Sequence, residues 1–294
     1  MTPEVEAQVK AAKAEAWKRL LTKIDMDEAD LLKYEAYRKR VVTEIRQLRV
    51  VLEALEARKN ERTWLRNKDA GDLDDRRLID GLTGSRNIYK ARGEQPPDMG
   101  SFQELPKRIH FLFDLSMSMS RYAMDGRLQR SLEAATMVME SFRGYDHKYS
   151  YKIGGHSGDT DNLEFVEEGK SPNNDRERLQ VIRKMHAHSD LCDSGDNTLS
   201  SCRYAVREIV KKEADEYAVF LLSDANLEQY GIGARELQDL LELDQRVRVF
   251  IIFIGSLGDQ AARLTASMPA GNVFVAMNTS DIPIIIKNCL SYLA

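Results

Sequence analysis

The stretch FLFDLSMSMS, residues 111–120, carries the strongest fold signal in this chain of 294 residues. An apolar run reaches an acid, Asp114, and three serines follow it at every second position. A continuous apolar run is typical of a strand that is buried on both faces of a sheet. The polar residues after it have two interpretations: turn and helix caps, or a site that binds a ligand.

From Pro106 onward, candidate strands alternate with candidate helices, and the runs VFLL and VFIIFI are again continuously apolar. The predicted strands are 109–113, 149–155, 217–223, 248–255 and 273–276. The predicted helices are 126–142, 175–187, 198–213, 234–243, 259–267 and 280–293. This alternation predicts an α/β fold, a doubly wound and mostly parallel sheet with helices on both faces. Ligands of such sheets bind at the carboxyl ends of the strands, near the point where the strand order reverses.

Residues 1–60 have a different pattern and predict an α-helical N-terminal extension folded as a helical hairpin, with a break at 25–27. A seam of apolar residues recurs every seven positions along its second helix, at Tyr34, Val41, Leu48 and Leu55. Packing on the chain's own α/β domain is the favoured interpretation, because the heptads are too few for an extended coiled coil. Residues 61–105 are predicted to be a connector with a short helix and strand, and 106–294 form the α/β domain.

Composition excludes several classes of protein. The chain is 43% hydrophobic and 31% charged, with a net charge of -4 and a pI of about 5.9, so we expect no nucleic-acid partner. The three cysteines form no paired motif, which indicates free thiols in a reducing, intracellular compartment. We also expect no membrane span, and the first residues contain no targeting signal.

Hydroxyl and carboxylate side chains follow the predicted strands at one edge of the sheet. Asp114, Ser116 and Ser118 come after the first strand, Thr198 opens a helix, and Asp224 follows the strand YAVFLLS. A set of oxygen ligands without Cys or His favours a hard cation, Mg²⁺ first, with Mn²⁺ or Ca²⁺ as alternatives. The periphery of this predicted metal site contains Ser120, His156 and Asp196.

Asp114-Leu115-Ser116-Met117-Ser118, with the distant Thr198 and Asp224, resembles the metal-ion-dependent adhesion site (MIDAS) of von Willebrand factor A domains. Family sites often have glycine where Met117 stands. Phrases such as LDDRRLIDGLTG, MDGRLQR, SGDNTL and LSDANLEQYGI, in order from about residue 62 onward, are similar to a branch of this family. Its members resemble dynein-like AAA+ ATPases with a terminal von Willebrand A domain. The resemblance implies an AAA+ ATPase module as a partner in cis or in trans. It also implies a mitochondrial matrix location in a eukaryote, and a cytoplasmic one otherwise.

The sequence also suggests two other chemistries. His156, His186, His188 and Cys192 suggest zinc, but a spacing of two at a helix end points side chains apart, which favours structural roles. No GxxxxGK[ST], GxSxG or HExxH motif is present, so we expect no enzyme in this chain. A phosphatase of the haloacid dehalogenase type needs an aspartate two residues after Asp114, where Ser116 stands.

The sequence therefore predicts a Mg²⁺-dependent recognition module that binds an Asp or Glu side chain of a client protein or of an AAA+ partner. In this hypothesis ATP is hydrolysed elsewhere, and the module is the substrate-engaging end of a remodelling machine. The alternative is a structural assembly subunit whose metal site is dispensable, which Met117 and the heptad-like helix favour. A Mg²⁺-dependent phosphohydrolase ranks third.

Overall fold

The computed structural model describes Glu15 and residues 28–57, 62–68, 72–73, 89–94, 105–120, 126–192, 195–224, 227, 230–254 and 258–292. Within these ranges the helices are α1 (Glu28–Arg40), α2 (Val42–Ala57), α3 (Met117–Ser120), α4 (Arg127–Ser141), α5 (Asp175–Leu191), α6 (Thr198–Ile209), α7 (Ala234–Leu241), α8 (Gly258–Ala266) and α9 (Asp281–Tyr292). The strands are β1 (Arg62–Lys68), β2 (Asp72–Leu73), β3 (Tyr89–Glu94), β4 (Lys107–Asp114), β5 (Tyr149–His156), β6 (Leu163–Val166), β7 (Tyr217–Ser223), β8 (Val247–Ile254) and β9 (Val273–Ala276).

The chain divides into two compact units. One contains Met1–Arg49 with Glu104–Leu293, and the other contains Val50–Gln103 with Ala294. The domain boundaries expected at residues 60 and 105 stay predictions. In the second unit, β3 pairs antiparallel with both β1 and β2 to form a three-stranded sheet. The first helix of the predicted hairpin, the break at 25–27 and the connector's predicted helix lie largely outside the described residues.

The larger unit has a six-stranded sheet in the order β6-β5-β4-β7-β8-β9, which is parallel except for β6. The doubly wound α/β fold is confirmed. From β4 the chain moves outward to β5 and β6 and then returns to β7 on the other side of β4. The strand order therefore reverses between β4 and β7, which is where this class of sheet opens a crevice for ligands.

Buried side chains cover both faces of the sheet, as the continuous apolar strands predicted. On one face, the rings of Phe111, Phe220 and Phe250 stack across β4, β7 and β8 with centroid separations of 5.1 Å, and Phe142 at the end of α4 packs edge-on against Phe111. On the other face, Leu112 and the apolar side chains of β7 and β8 form a core with α6, α7 and α8. The central strands are thus buried on both faces, and the residues that follow them lie at the edge of this core.

One missed strand and two helix ends are the clearest differences from the sequence prediction. The edge strand β6 was missed, because its sequence LEFV shows no buried pattern and it pairs antiparallel with β5. Helix α5 continues to Leu191 instead of ending at residue 187. Helix α6 ends at Ile209 rather than at residue 213, since the Arg108 guanidinium donates hydrogen bonds to the carbonyls of Ile209 and Lys212. The buried side chain of Arg108 on β4 thus caps the carboxyl end of this helix.

The seven-residue seam of the extension packs inside the larger unit as far as Leu48, and the side chain of Leu55 lies outside the described residues. Tyr34, Val41, Ile45 and Leu48 are buried, and the Tyr34 hydroxyl bonds to Glu140 on α4. This contact agrees with the favoured interpretation, in which the seam packs on the chain's own α/β domain. No helix of the described residues has the length and apolar character needed to cross a membrane.

Candidate metal site

Asp114 is the last residue of β4 and is 1% exposed. Its Oδ1 accepts a hydrogen bond of 2.8 Å from the backbone N–H of Ser116, and its Oδ2 accepts one of 3.0 Å from the Ser223 hydroxyl at the end of β7. The two bonds hold the carboxylate across the ends of both central strands. Ser223 was not among the predicted site residues; its only sequence signal is that it precedes Asp224.

The two predicted serine ligands lie side by side. The hydroxyl oxygens of Ser116 and Ser118 are 2.9 Å apart, and both residues are buried. The short helix α3 begins between them and turns Ser118 back toward Ser116, with the Met119 N–H donating to the Ser116 carbonyl at 3.0 Å. Ser120 ends α3, and its side chain lies outside the described part of the chain.

Thr198 opens α6 and is fully buried. Its hydroxyl lies 3.4 Å from Nε2 of His156, and its backbone N–H donates to Oδ1 of Asp196 at 2.5 Å. His156 ends β5, directly beside Asp114 in the sheet register. Two residues predicted to line the periphery, His156 and Asp196, therefore contact the predicted ligand Thr198.

The loop that carries Thr198 is tied to the loop after β5. The Asn197 side chain donates hydrogen bonds to the carbonyls of Ser157 at 2.7 Å and Gly158 at 3.3 Å. Gly195 has a φ of +155°, and a Cβ there would lie 3.0 Å from the Gly158 Cα. A side chain there would be in tight contact with the other backbone and would need a strained φ, so glycine suits this turn before α6.

Asp224 directly follows β7 and is 3% exposed. Its Oδ2 accepts a hydrogen bond of 2.9 Å from Nη1 of Arg127, the residue that begins α4. Arg127 was not among the predicted site residues. A positive charge at the start of a helix opposes the helix dipole, and this local anomaly is the sequence signal that could have identified Arg127.

The electrostatics of these residues suit a cation. Burial raises the pKa of the Asp114 carboxyl, the negative charges of Asp224 and Asp196 raise it further, and His156 lowers it. Ionised carboxylates close together in a desolvated place repel one another, and a bound cation removes that repulsion. The available donors are hydroxyl and carboxylate oxygens, which are the ligands that Mg²⁺ prefers. The residue set therefore fits a hard divalent ion.

The alternative zinc ligands contact separate partners. His186 pairs with Asp190 at 3.0 Å, His188 lies 2.9 Å from the Ser157 hydroxyl, and the Cys192 thiol donates to the Leu115 carbonyl at 3.2 Å. Within the part of the chain that the structure describes, no cluster of three or more His, Cys, Asp or Glu side chains has metal-binding geometry. The hydroxyl oxygens of Ser116, Ser118 and Thr198 are not part of that set of side chains.

Comparison with known proteins identifies a curated relative. The chain is 45% identical over 285 residues to von Willebrand factor A domain-containing protein 8 of Mus musculus, an alignment that covers 97% of this chain. The chain spans 15% of the length of that relative. No family model matches the chain.

Solved structures with a similar arrangement are more distant. Proximal thread matrix protein 1 of the mussel byssus, in a form with a zinc-occupied MIDAS motif, is 18% identical with a TM-score of 0.45, covering 63% of this chain and 46% of its own. The D319A mutant of the PilB minor pilin of Streptococcus sanguinis is 14% identical with a TM-score of 0.46, covering 72% of this chain and 67% of its own.

Proposed function

The chain is a von Willebrand factor A domain protein related along nearly its whole length to one part of von Willebrand factor A domain-containing protein 8, and from that premise we propose that it recognises protein partners through a divalent cation. Five residues hold the cation in this proposal: Asp114, Ser116, Ser118, Thr198 and Asp224. The observation that carries the proposal is the position of Asp114, buried at the strand-order reversal and joined to the end of β7 through Ser223.

Mg²⁺ is the proposed ion, with Mn²⁺ and Ca²⁺ as alternatives. When bound, the ion supplies an electrophilic position for an oxygen of another molecule. Ser116, Ser118 and Thr198 contribute neutral oxygens, so they hold the ion without cancelling its charge. Both carboxylate oxygens of Asp114 already accept hydrogen bonds from protein groups, which favours a role for this acid in fixing the serine loop and supplying charge. The partner group that complements such a site is the carboxylate of an Asp or Glu.

A recognition module of this kind depends on another module for ATP hydrolysis. We propose that an AAA+ ATPase module, in the same polypeptide or in a separate one, hydrolyses ATP, and that this chain engages the client. In a eukaryote the proposed location is the mitochondrial matrix. We propose no catalytic step for the chain itself.

The direct test is partner capture with purified wild-type chain and the variants Asp114→Ala and Asp224→Ala. We expect wild-type capture in Mg²⁺ that is lost in EDTA and restored when Mg²⁺ is added back, while both variants capture nothing and keep the wild-type circular dichroism spectrum. Asp190→Ala is the matched control, since its carboxylate is about half exposed at the end of α5. Capture that persists in EDTA rules out the metal-dependent mechanism.

A structural assembly role is the second candidate, and one observation favours it. Leu32 on α1 is 68% exposed and Val42 on α2 is 39% exposed, which gives the extension apolar side chains available for contact. In that case Leu32→Ser and Val42→Ser weaken partner capture, chelation has no effect, and Asp114→Ala binds as well as the wild type. The same capture assay thus separates the two functions.

A further inference from the structure

The guanidinium of Arg127 places a positive charge at the candidate metal site. Its side chain is 9% exposed, that of Asp224 is 2% exposed, and Nη1 of the arginine lies 2.9 Å from Oδ2 of the acid. The two residues are 97 positions apart in the chain. Gly126, with a φ of 77°, takes the left-handed conformation that leads the backbone into α4 at this point.

The position of this arginine is unfavourable without its partner. A cation at the first residue of a helix opposes the positive end of the helix dipole. Removal of a guanidinium from water adds a desolvation cost, which only an ion pair of good geometry offsets. The contact with Asp224 satisfies both needs. Arg127 is therefore held where it is by one of the residues that we assign to the cation.

The charges near the site define what Arg127 does. Asp114, Asp224 and Asp196 carry three negative charges when ionised, and Arg127 carries one positive charge, so these four side chains together have a net charge of -2. A divalent ion brings this group to neutrality, whereas without Arg127 the occupied site keeps one net negative charge. A negative site attracts the metal more strongly and repels an incoming carboxylate.

We propose that Arg127 sets the balance between the two affinities of the site, weakening the hold on the metal and strengthening capture of a carboxylate. This inference rests on the proposed metal-dependent function. Arg127 acts as a positioning and charge-balancing residue rather than as a ligand. Its removal changes the two affinities in opposite directions, a result that loss of structure does not produce because unfolding lowers both.

The test uses Mn²⁺ as the metal and acetate as the carboxylate, with the purified chain. Electron paramagnetic resonance of free Mn²⁺ gives the metal affinity, and relaxation of water protons by bound Mn²⁺ reports displacement of its water by acetate. For Arg127→Gln we expect Mn²⁺ affinity to rise about tenfold and acetate affinity to fall by a similar factor, an order-of-magnitude effect of removing one unit charge beside the site. Arg127→Lys, which keeps the charge, stays within about threefold of the wild type because a single charge-assisted contact is retained.

Arg127→Met is a second neutral variant in case the glutamine variant does not fold, and thermal unfolding followed by circular dichroism identifies the folded variants. The inference is overturned when a folded neutral variant binds Mn²⁺ no more tightly than the wild type does. It is also overturned when acetate displaces the water on bound Mn²⁺ equally well in the variant and in the wild type. A wild-type chain that is folded but binds no Mn²⁺ overturns the proposed function itself, and the inference with it. The wild-type measurement therefore distinguishes the two failures.

Discussion

The hydroxyl of Tyr34 donates a hydrogen bond of 2.7 Å to Oε1 of Glu140, 106 residues later in the chain. The same Glu140 oxygen lies 3.1 Å from Nε of Arg178, whose guanidinium carbon is 6.0 Å from the centroid of the Tyr34 ring. Arg178 is 1% exposed, so helix α1 covers a buried charge pair between α4 and α5. Burial, and next the bond to Glu140, raise the pKa of the Tyr34 hydroxyl far above its usual value. Helix α1 is consequently part of the folded α/β unit.

Substitution of Tyr34 tests this relationship. We predict that Tyr34→Phe lowers the free energy of unfolding by about 1–3 kcal/mol, because it leaves a buried carboxylate oxygen with one hydrogen bond fewer. Urea denaturation followed by circular dichroism measures the loss. Tyr37→Phe is the matched control, since it makes the same change one turn along α1 at a half-buried position. Equal losses for both variants contradict a specific contribution of the Tyr34–Glu140 bond.

Thr198 offers a test of the metal ligands that keeps all charges unchanged. We predict that Thr198→Val lowers Mg²⁺ affinity on the order of tenfold to a hundredfold, as expected when an oxygen that binds or supports a metal is removed. Thr198→Ser retains the hydroxyl and is expected to retain most of the affinity. Isothermal titration calorimetry with MgCl₂ measures both variants. If the valine variant binds Mg²⁺ as tightly as the serine variant, Thr198 is not a ligand.

Gly154 on β5 provides space for the buried side chain of His110 on the neighbouring strand β4. A Cβ at position 154 would lie 2.6 Å from the His110 Nε2 and 3.1 Å from the Leu163 carbonyl oxygen. We predict that Gly154→Ala destabilises the protein by about 1–3 kcal/mol, the usual cost of overpacking a core. In the double variant with His110→Ala the added cost of Gly154→Ala becomes smaller, and urea denaturation of the four proteins gives the coupling. Strictly additive losses argue against the clash.

His110 also predicts a pH dependence of stability. Burial lowers the pKa of its imidazole to about 3, and the positive charges of Lys152 and Arg108 act in the same direction. Because the unfolded chain takes up this proton below about pH 6.5 and the folded chain does not, the unfolded state binds more protons there. The contribution of this difference in proton uptake to the free energy of unfolding is complete above pH 6.5. It is lost as the pH falls toward 3.

The measurement is the free energy of unfolding of the wild type and of His110→Leu between pH 7 and pH 4. We expect the wild-type curve to fall more steeply, by up to about 1.4 kcal/mol per pH unit, the value for one proton. The leucine variant lacks this contribution and shows a shallower curve. Parallel curves for the two proteins indicate that His110 titrates normally in the fold.

Much of the fold follows from local sequence patterns. The strands that begin at Tyr217 and Val273 have the predicted boundaries, and β4, β5 and β8 differ by one or two residues at an end. Continuous apolar runs identify such strands because both faces of the sheet are covered. The same patterns placed Asp114 and Asp224 each at the end of a strand, since an acid directly after a buried strand lies at its carboxyl end. The assignment of these residues as metal ligands stays a prediction.

Other features depend on contacts between distant residues. The bonds from Ser223 to Asp114 and from Arg127 to Asp224 join residues 109 and 97 positions apart, and the end of α6 is determined by Arg108 from another strand. Helix and strand periodicity describes the burial of a single segment, so it contains no information about which polar groups meet across the sheet. The sequence by itself determined the layers and the positions of the two acids. Only the tertiary structure decided which charges lie beside them, because the partners of a buried ion are selected by proximity in three dimensions and by the cost of leaving a charge unpaired.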